Sequence, residues 1–174
     1  NGVEIRDVAD ILGHRNIETT ENYYISSTED SRKRANSVFE EIRDYLKEDV
    51  LVVSILAGKT IEYLQNGMKR QVKLARCMPN TPALVKAGCT GVCFSKEVCD
   101  EEKEYVLSML NSIGIAKEVP ENLMDTVIGA SGSSPAFVFM MIEAMADAVV
   151  KAGMRRDLAY EMVAQAVYGS AKLV

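Results

Sequence analysis

The sequence predicts an α/β portion followed by an all-α portion, introduced by a short helical segment. Three observations carry this. The apolar spacing is helical up to about residue 45, then gives way at Val50 to a near-continuous β-branched run. From there to Val119 strand-like runs alternate with helix-like ones, the pattern of βαβ units and a mostly parallel sheet. After Pro120 every apolar segment has helical period.

The elements follow in order. Residues 4–12 read as a short helix, with Ile5, Val8, Ile11 and Leu12 on one face and Gly13 as its stop. A second short helix spans about 17–24. Ser26-Ser27-Thr28-Glu29-Asp30 supplies a turn, a cap and first-turn acids for a third, to about Tyr45. Residues 50–55 form a strand expected to be buried on both faces. Ala57-Gly58 is a turn, 60–68 a helix, 72–78 a second strand and 91–95 a third. Residues 100–113 form an amphipathic helix with Val106, Met109, Leu110 and Ile113 inward and three acids at its positive end. Gly114 ends it, and 115–119 form a fourth strand.

Beyond Pro120, one helix is expected from 121 to about 130, broken by Ser131-Gly132-Ser133-Ser134. A long helix follows over 135–152, apolar nearly all round, which belongs at the centre of a core or in an interface. Gly153 caps it, and 156–174 is a last helix. The start at Asn1 and a helical pattern running to Val174 give the expectation of an incomplete chain.

Composition excludes several classes. Lys and Arg number 20 against 25 Asp and Glu, a net charge of −5, so no basic surface for nucleic acid is expected. Residues 1–44 hold 10 acids and 6 bases, and 45–174 hold 15 and 14, so the charge steps down near one place in the chain. Apolar residues suffice for a core, against disorder. The polar, acidic start is unlike a signal peptide. The most apolar run, 135–150, has 16 residues and carries Glu143 and Asp147, so no membrane span is expected. Cys77, Cys89, Cys93 and Cys99 make no C-x-x-C pair and no zinc spacing with the sole histidine, His14, which leaves no metal site and suits reduced thiols in a cytoplasmic protein.

Two loops have the chemistry of a site. Met78-Pro79-Asn80-Thr81-Pro82 follows the second strand directly, and ligands of open α/β sheets sit at strand carboxyl ends. Two prolines stiffen it and Asn80 and Thr81 offer donors and acceptors; a plain stiffened turn reads the same way. Ser131-Gly132-Ser133-Ser134-Pro135-Ala136 reads as a helix start with capping serines and Pro at the first helical position. Its N–H groups suit a carboxylate or phosphate, or satisfy only the helix itself. Glu143 and Asp147 share a face with Lys151, as an acid/base pair or, the favoured reading, a solvated or interface stripe. His14 and Tyr23 alone imply neither metal nor triad.

From about residue 38 to 174 the chain resembles the pyrroline-5-carboxylate reductases. The resemblance rests on Leu51-Val52-Val53-Ser54-Ile55 with Ala57-Gly58, Met78-Pro79-Asn80-Thr81-Pro82-Ala83-Leu84-Val85, Gly88, Gly91, Met124-Asp125, Ser131-Gly132-Ser133-Ser134-Pro135-Ala136, Ile142-Glu143-Ala144 with Ala146-Asp147, Ala159 and residues 165–172. It implies a partial Rossmann-type domain over 37–119 and a partial helical dimerisation domain over 120–174. It also implies hydride transfer from NADPH or NADH to 1-pyrroline-5-carboxylate, giving L-proline. Carried over by position, Ala57, Met78, Pro79, Asn80 and Thr81 would flank the nicotinamide. Ser131, Gly132, Ser133, Ser134, Pro135 and Ala136 would hold the substrate carboxylate, with the amides of 133–136 as donors. The helices of 135–174 would pair with a second copy as a homodimer or larger homo-oligomer.

The family's G-x-G-x-x-G loop and its C-terminal SPGGTT-like loop have no counterpart here. Ser134 stands where most members have Gly and Ile128 where many have Thr. The expectation is therefore an incomplete reductase, inactive in its alternative form as a bare dimerisation module. An open sheet edge at residues 50–55 is expected to lower solubility.

Residues 1–36 resemble the C-terminal tail of a tyrosine recombinase, through Val8-Ala9-Asp10-Ile11-Leu12-Gly13-His14, Ile17, Thr19-Thr20, Tyr23 and residues 31–35. That resemblance implies Tyr23 as nucleophile on a DNA phosphate, with His14 assisting and Tyr24 as a minor rival. The family's two phosphate-clamping arginines have no counterpart, and the segment is net negative. The expectation is a composite, joined near 36–38.

Overall fold

A computed structural model of the protein describes residues 42–174. The recombinase-like segment, with His14 and Tyr23, the helices expected before residue 42, and the junction near 36–38 all lie outside the described residues. Residues 42–45 are helical, as expected of a helix ending near Tyr45.

The chain divides into two compact units. Among the described residues, one gathers 42–50 with Glu62–Gln71; the other contains Leu51–Ile61 and Val72–Val174. In the first, Arg70 holds the carbonyl of Lys47 at 2.6 Å through Nη2. The helix α1 (Ile61–Met68) buries Leu64 and Met68, four residues apart on one face.

The second unit carries the architecture. Its sheet has four strands, β1 (Leu51–Ser54), β2 (Lys73–Met78), β3 (Gly88–Phe94) and β4 (Gly114–Glu118), in the order β1-β2-β3-β4. β1 pairs parallel with β2 and β3 parallel with β4, while β2 and β3 run antiparallel. The expected α/β portion is therefore present as a mixed, mainly parallel sheet. The antiparallel step has a local cause. Only the short 3-10 turn Thr81–Val85, ending at Lys86 in the left-handed region, separates β2 from β3, and a parallel return needs a far longer crossover.

Helix α2 (Asp100–Asn111) covers one face of the sheet. Asp100, Glu101 and Glu102 sit in its first turn, and Glu102 reaches back to accept the Cys99 N–H at 3.0 Å. Val106 and Leu110 pack with Ala75, Cys77, Val92 and Ala116 into one apolar core. Burying side chains of this size stabilises by about 1.5–3 kcal/mol each. Gly114 lets the chain turn from α2 into β4: its φ is +150°, and a Cβ there would lie 2.1 Å from the Gly88 carbonyl oxygen.

β1 departs from expectation. Val53 is 38% exposed and Ser54 alone in the strand is buried. On the α2 side Leu51 and Val53 line an open cavity and are not fully covered, and β1 has a sheet neighbour on one side only, among the described residues. Its edge position agrees with the open edge the sequence implied.

The helical portion also differs in one respect. The serine-rich segment does not break the chain into two helices. A 3-10 turn (Glu121–Leu123), the short α3 (Met124–Val127), a π-helical segment (Ile128–Gly132) and α4 (Ser134–Lys151) follow with little interruption. The run Glu121–Lys151 spans 31 residues with a window of mean hydropathy 1.4, long and apolar enough by length and composition to cross a membrane. The shorter run at 135–150 had argued against that, because it took the serines as a stop. α5 (Arg156–Lys172) folds back on α4 through Ala146, Ala159 and Val163, small side chains that allow close approach. Arg156 closes the hairpin on Asp147 at 2.9 Å, an exposed ion pair in keeping with the favoured reading of a solvated or interface stripe.

Gly114→Ala is expected to lower the unfolding free energy by about 2 kcal/mol or more. Gly129→Ala, where an added Cβ meets nothing within 4 Å, is expected to stay within about 0.5 kcal/mol. Urea denaturation followed by circular dichroism compares them; equal midpoints would contradict the reading.

Candidate active site

The two loops singled out in the sequence meet. Asn80, immediately beyond β2, donates from Nδ2 to the Ser131 carbonyl at 3.0 Å. Its Oδ1 accepts the Cys89 N–H of β3 at 2.8 Å. Each polar atom of the side chain thus makes one hydrogen bond within the protein. The Ser131 hydroxyl donates to the Val127 carbonyl at 3.1 Å.

The meeting is arranged by two contacts further back. Gly91 in β3 lies against Val127, and a Cβ there would come within 2.8 Å of the valine side chain, so the glycine admits the helical run onto the sheet. The second contact is ionic. Arg76 lies on β2, two residues before Met78, and is only 3% exposed. Its Nη1 donates to Glu121 Oε1 at 3.1 Å, and the same oxygen accepts the Ile61 N–H at 2.7 Å. Arg76 Nε and Thr90 Oγ1 are buried without a hydrogen-bond partner. Neither Arg76 nor Glu121 was singled out from the sequence. The available signal was a lone charge inside the apolar run 74–78, since a buried arginine requires an acidic partner.

The remaining expected residues are placed as follows. Ala57 and Gly58 follow β1, and Met78 ends the adjacent β2 with Pro79, Asn80 and Thr81 following it, so both sets lie at the carboxyl ends of parallel strands. That is where an open α/β sheet takes a ligand. Ala57 and Gly58 are exposed, Met78 is buried, and Pro79 and Asn80 are half-buried. Gly58, at φ +67°, has nothing within 4 Å of where a Cβ would stand. A G-x-G-x-x-G cradle for the pyrophosphate is absent from the sequence.

The expected anion site is altered by the π segment. Ser133 makes no side-chain cap. Its N–H bonds the Ile128 carbonyl at 2.8 Å and that of Ala136 bonds the Ser133 carbonyl at 3.1 Å, while Pro135 has none. Three of the four residues expected to offer amides to a carboxylate therefore do not present a free one. The two buried cysteines are poor nucleophiles: burial pushes the Cys77 thiol up to about 12, with nearby Cys93 adding to it. Burial first, then the Glu121 charge, raises Cys93 to about 11. Among the described residues no cluster of His, Cys, Asp and Glu could hold a metal.

Comparison with known proteins bears on this arrangement. Residues 121–174 match the family described as pyrroline-5-carboxylate reductase dimerisation. The pyrroline-5-carboxylate reductase of Escherichia coli K12 is 50% identical over 137 residues, covering 79% of this chain and 51% of that protein. The Synechocystis reductase is 44% identical over 124 residues, 71% of this chain and 46% of that one. Among solved structures, the Plasmodium falciparum pyrroline carboxylate reductase with NADP bound superposes with a TM-score of 0.75 at 38% identity, over 82% of this chain and 57% of that one. The chain spans about half the length of the curated relatives it matches.

Replacing Glu121 by Ala strands the buried Arg76 guanidinium and the Ile61 N–H. It is expected to cost about 2–3 kcal/mol of stability. Glu121→Gln, which keeps an acceptor, is expected to cost less. Denaturant midpoints for the two variants check this, and an Ala variant no weaker than Gln would refute it.

Proposed function

The chain is a relative of the pyrroline-5-carboxylate reductases over about four fifths of its length, and on that premise we propose that it carries the part of such a reductase where nicotinamide and substrate meet. The supporting observation is the junction of the two loops through Asn80 at the carboxyl end of β2. NADPH or NADH would supply a hydride to the C=N carbon of 1-pyrroline-5-carboxylate, and the ring nitrogen would take up a proton, giving L-proline. Ala57 with Met78, Pro79, Asn80 and Thr81 would flank the nicotinamide. Ser131 to Ala136 would form the wall beside the substrate carboxylate. The proposed compartment is the cytoplasm.

The segment of residues 1–36 is assigned no activity. The likeness of this segment, with His14 and Tyr23, to a recombinase tail rests on the sequence pattern of 8–14, 17, 19–20, 23 and 31–35 and on nothing in the structure.

We further propose that a second copy of the chain covers the apolar face of α4. Phe137, Met141 and Met145 are exposed at spacing i, i+4, i+8, with Phe139 and Met140 beside them. The match of this segment to a dimerisation family favours a protein partner over lipid. So do Glu143 and the Asp147–Arg156 pair, charges that a bilayer centre would penalise.

Purified protein mixed with NADPH and 1-pyrroline-5-carboxylate is expected to lose absorbance at the nicotinamide band. No loss with either NADPH or NADH would overturn the catalytic reading for this chain. Sedimentation equilibrium is expected to give a dimer or larger assembly, reduced to a monomer by Met141→Glu. A monomeric parent at micromolar concentration would reject the interface.

A further inference from the structure

The entry to α4 contains a defect that its own sequence creates. In a continuing helix the Ser131 carbonyl would accept from the N–H four residues on. That residue is Pro135, which has no N–H to give. The carbonyl also belongs to the π-helical segment Ile128–Gly132, an irregularity found mostly as a single turn and often at functional sites. Left without a donor in a half-buried place, it would carry a desolvation cost, and the turn would be free to rewind.

We propose that Asn80 is a positioning residue that supplies this missing donor, locking the entry of α4 to the loop after β2. Its side chain suits the task in a way its neighbours in size do not. One end must donate to a carbonyl and the other must accept from the Cys89 N–H, which fixes the amide's orientation. Aspartate keeps the acceptor and loses the donor; leucine loses both. Asn80 therefore holds three segments in register: the loop after β2, the start of β3 and the π segment. The inference deepens the reductase reading, since these loops are the ones assigned there to nicotinamide and substrate. It places Asn80 behind the site as a clamp, with its amide used inside the protein.

The test is amide hydrogen exchange on the full chain, read by mass spectrometry. It needs no catalysis, so an inactive chain would sink the reductase reading and leave this one to be judged. Asn80→Asp is expected to speed exchange about ten-fold in peptides covering 128–136. Peptides covering 88–94 and the remote 100–111 should stay unchanged. Asn80→Leu is expected to speed both 128–136 and 88–94. The rescue is specific: Pro135→Ala restores an N–H to the helix, so Asn80→Asp combined with Pro135→Ala is expected to recover most of the lost protection. Unchanged exchange at 128–136 in Asn80→Asp would overturn the clamp. So would equal acceleration at 100–111, or a double variant no better protected than the single one.

Discussion

The Arg76–Glu121 pair is the constraint on which the second unit turns. A guanidinium on the central part of β2 is taken out of water, and among the described residues one carboxylate answers it. That carboxylate sits at the first residue of the helical run, and its same oxygen accepts the N–H of Ile61. Removing either partner would leave a buried charge or a buried donor, which costs more than the pair contributes in net stability. The pair therefore acts as a register mark. It fixes where the helical run lands on the sheet, and Gly91 then lets Val127 settle there. With position 121 anchored and 127 seated, Ser131 arrives beside Asn80 four residues later. The π segment is the length adjustment that this arrival involves.

The period change at Val50 made the architecture legible, because the strand and helix periods depend on side-chain spacing alone. The strands at 72–78 and 115–119 and the helix at 100–113 were found within a few residues, since Gly114 and the acids at 100–102 punctuate them. Two-sided burial of β1 was misread because apolar content reports what a strand tolerates, not how many neighbours it has. The unbroken run through Ser131–Ser134 was misread for a related reason. Serine and glycine usually stop a helix, but a π turn can absorb them when tertiary contacts hold the flanks.

The loops of the site were found from their residue types, yet the geometry reassigns what those residues do. Asn80 looked like a ligand group and is spent on the protein. The amides at 133 and 136 looked like an anion site and are used inside the helix. Arg76 and Glu121 passed unnoticed because ion pairing between residues 45 apart leaves no local pattern. Spacing finds where a site lies; only the hydrogen-bond accounting tells which groups remain for a ligand.

Two of the exposed apolar surfaces among the described residues differ in kind. On the α4 hairpin the exposed side chains are long and flexible, Phe and Met at helical spacing, on a scaffold whose small residues Ala146 and Ala159 already pack tightly. Such a face can be covered by a copy of itself, because a two-fold axis brings the same stripe to both sides. At β1 the exposed groups are Val53, Ile55 and Leu56 beside a strand edge, with a cavity of about 350 Å³ opening between β1 and Tyr105 and Met109 of α2. An edge asks for backbone hydrogen bonds as well as apolar contact, so a helix face cannot satisfy it. A second copy over α4 would therefore leave the β1 edge as it is.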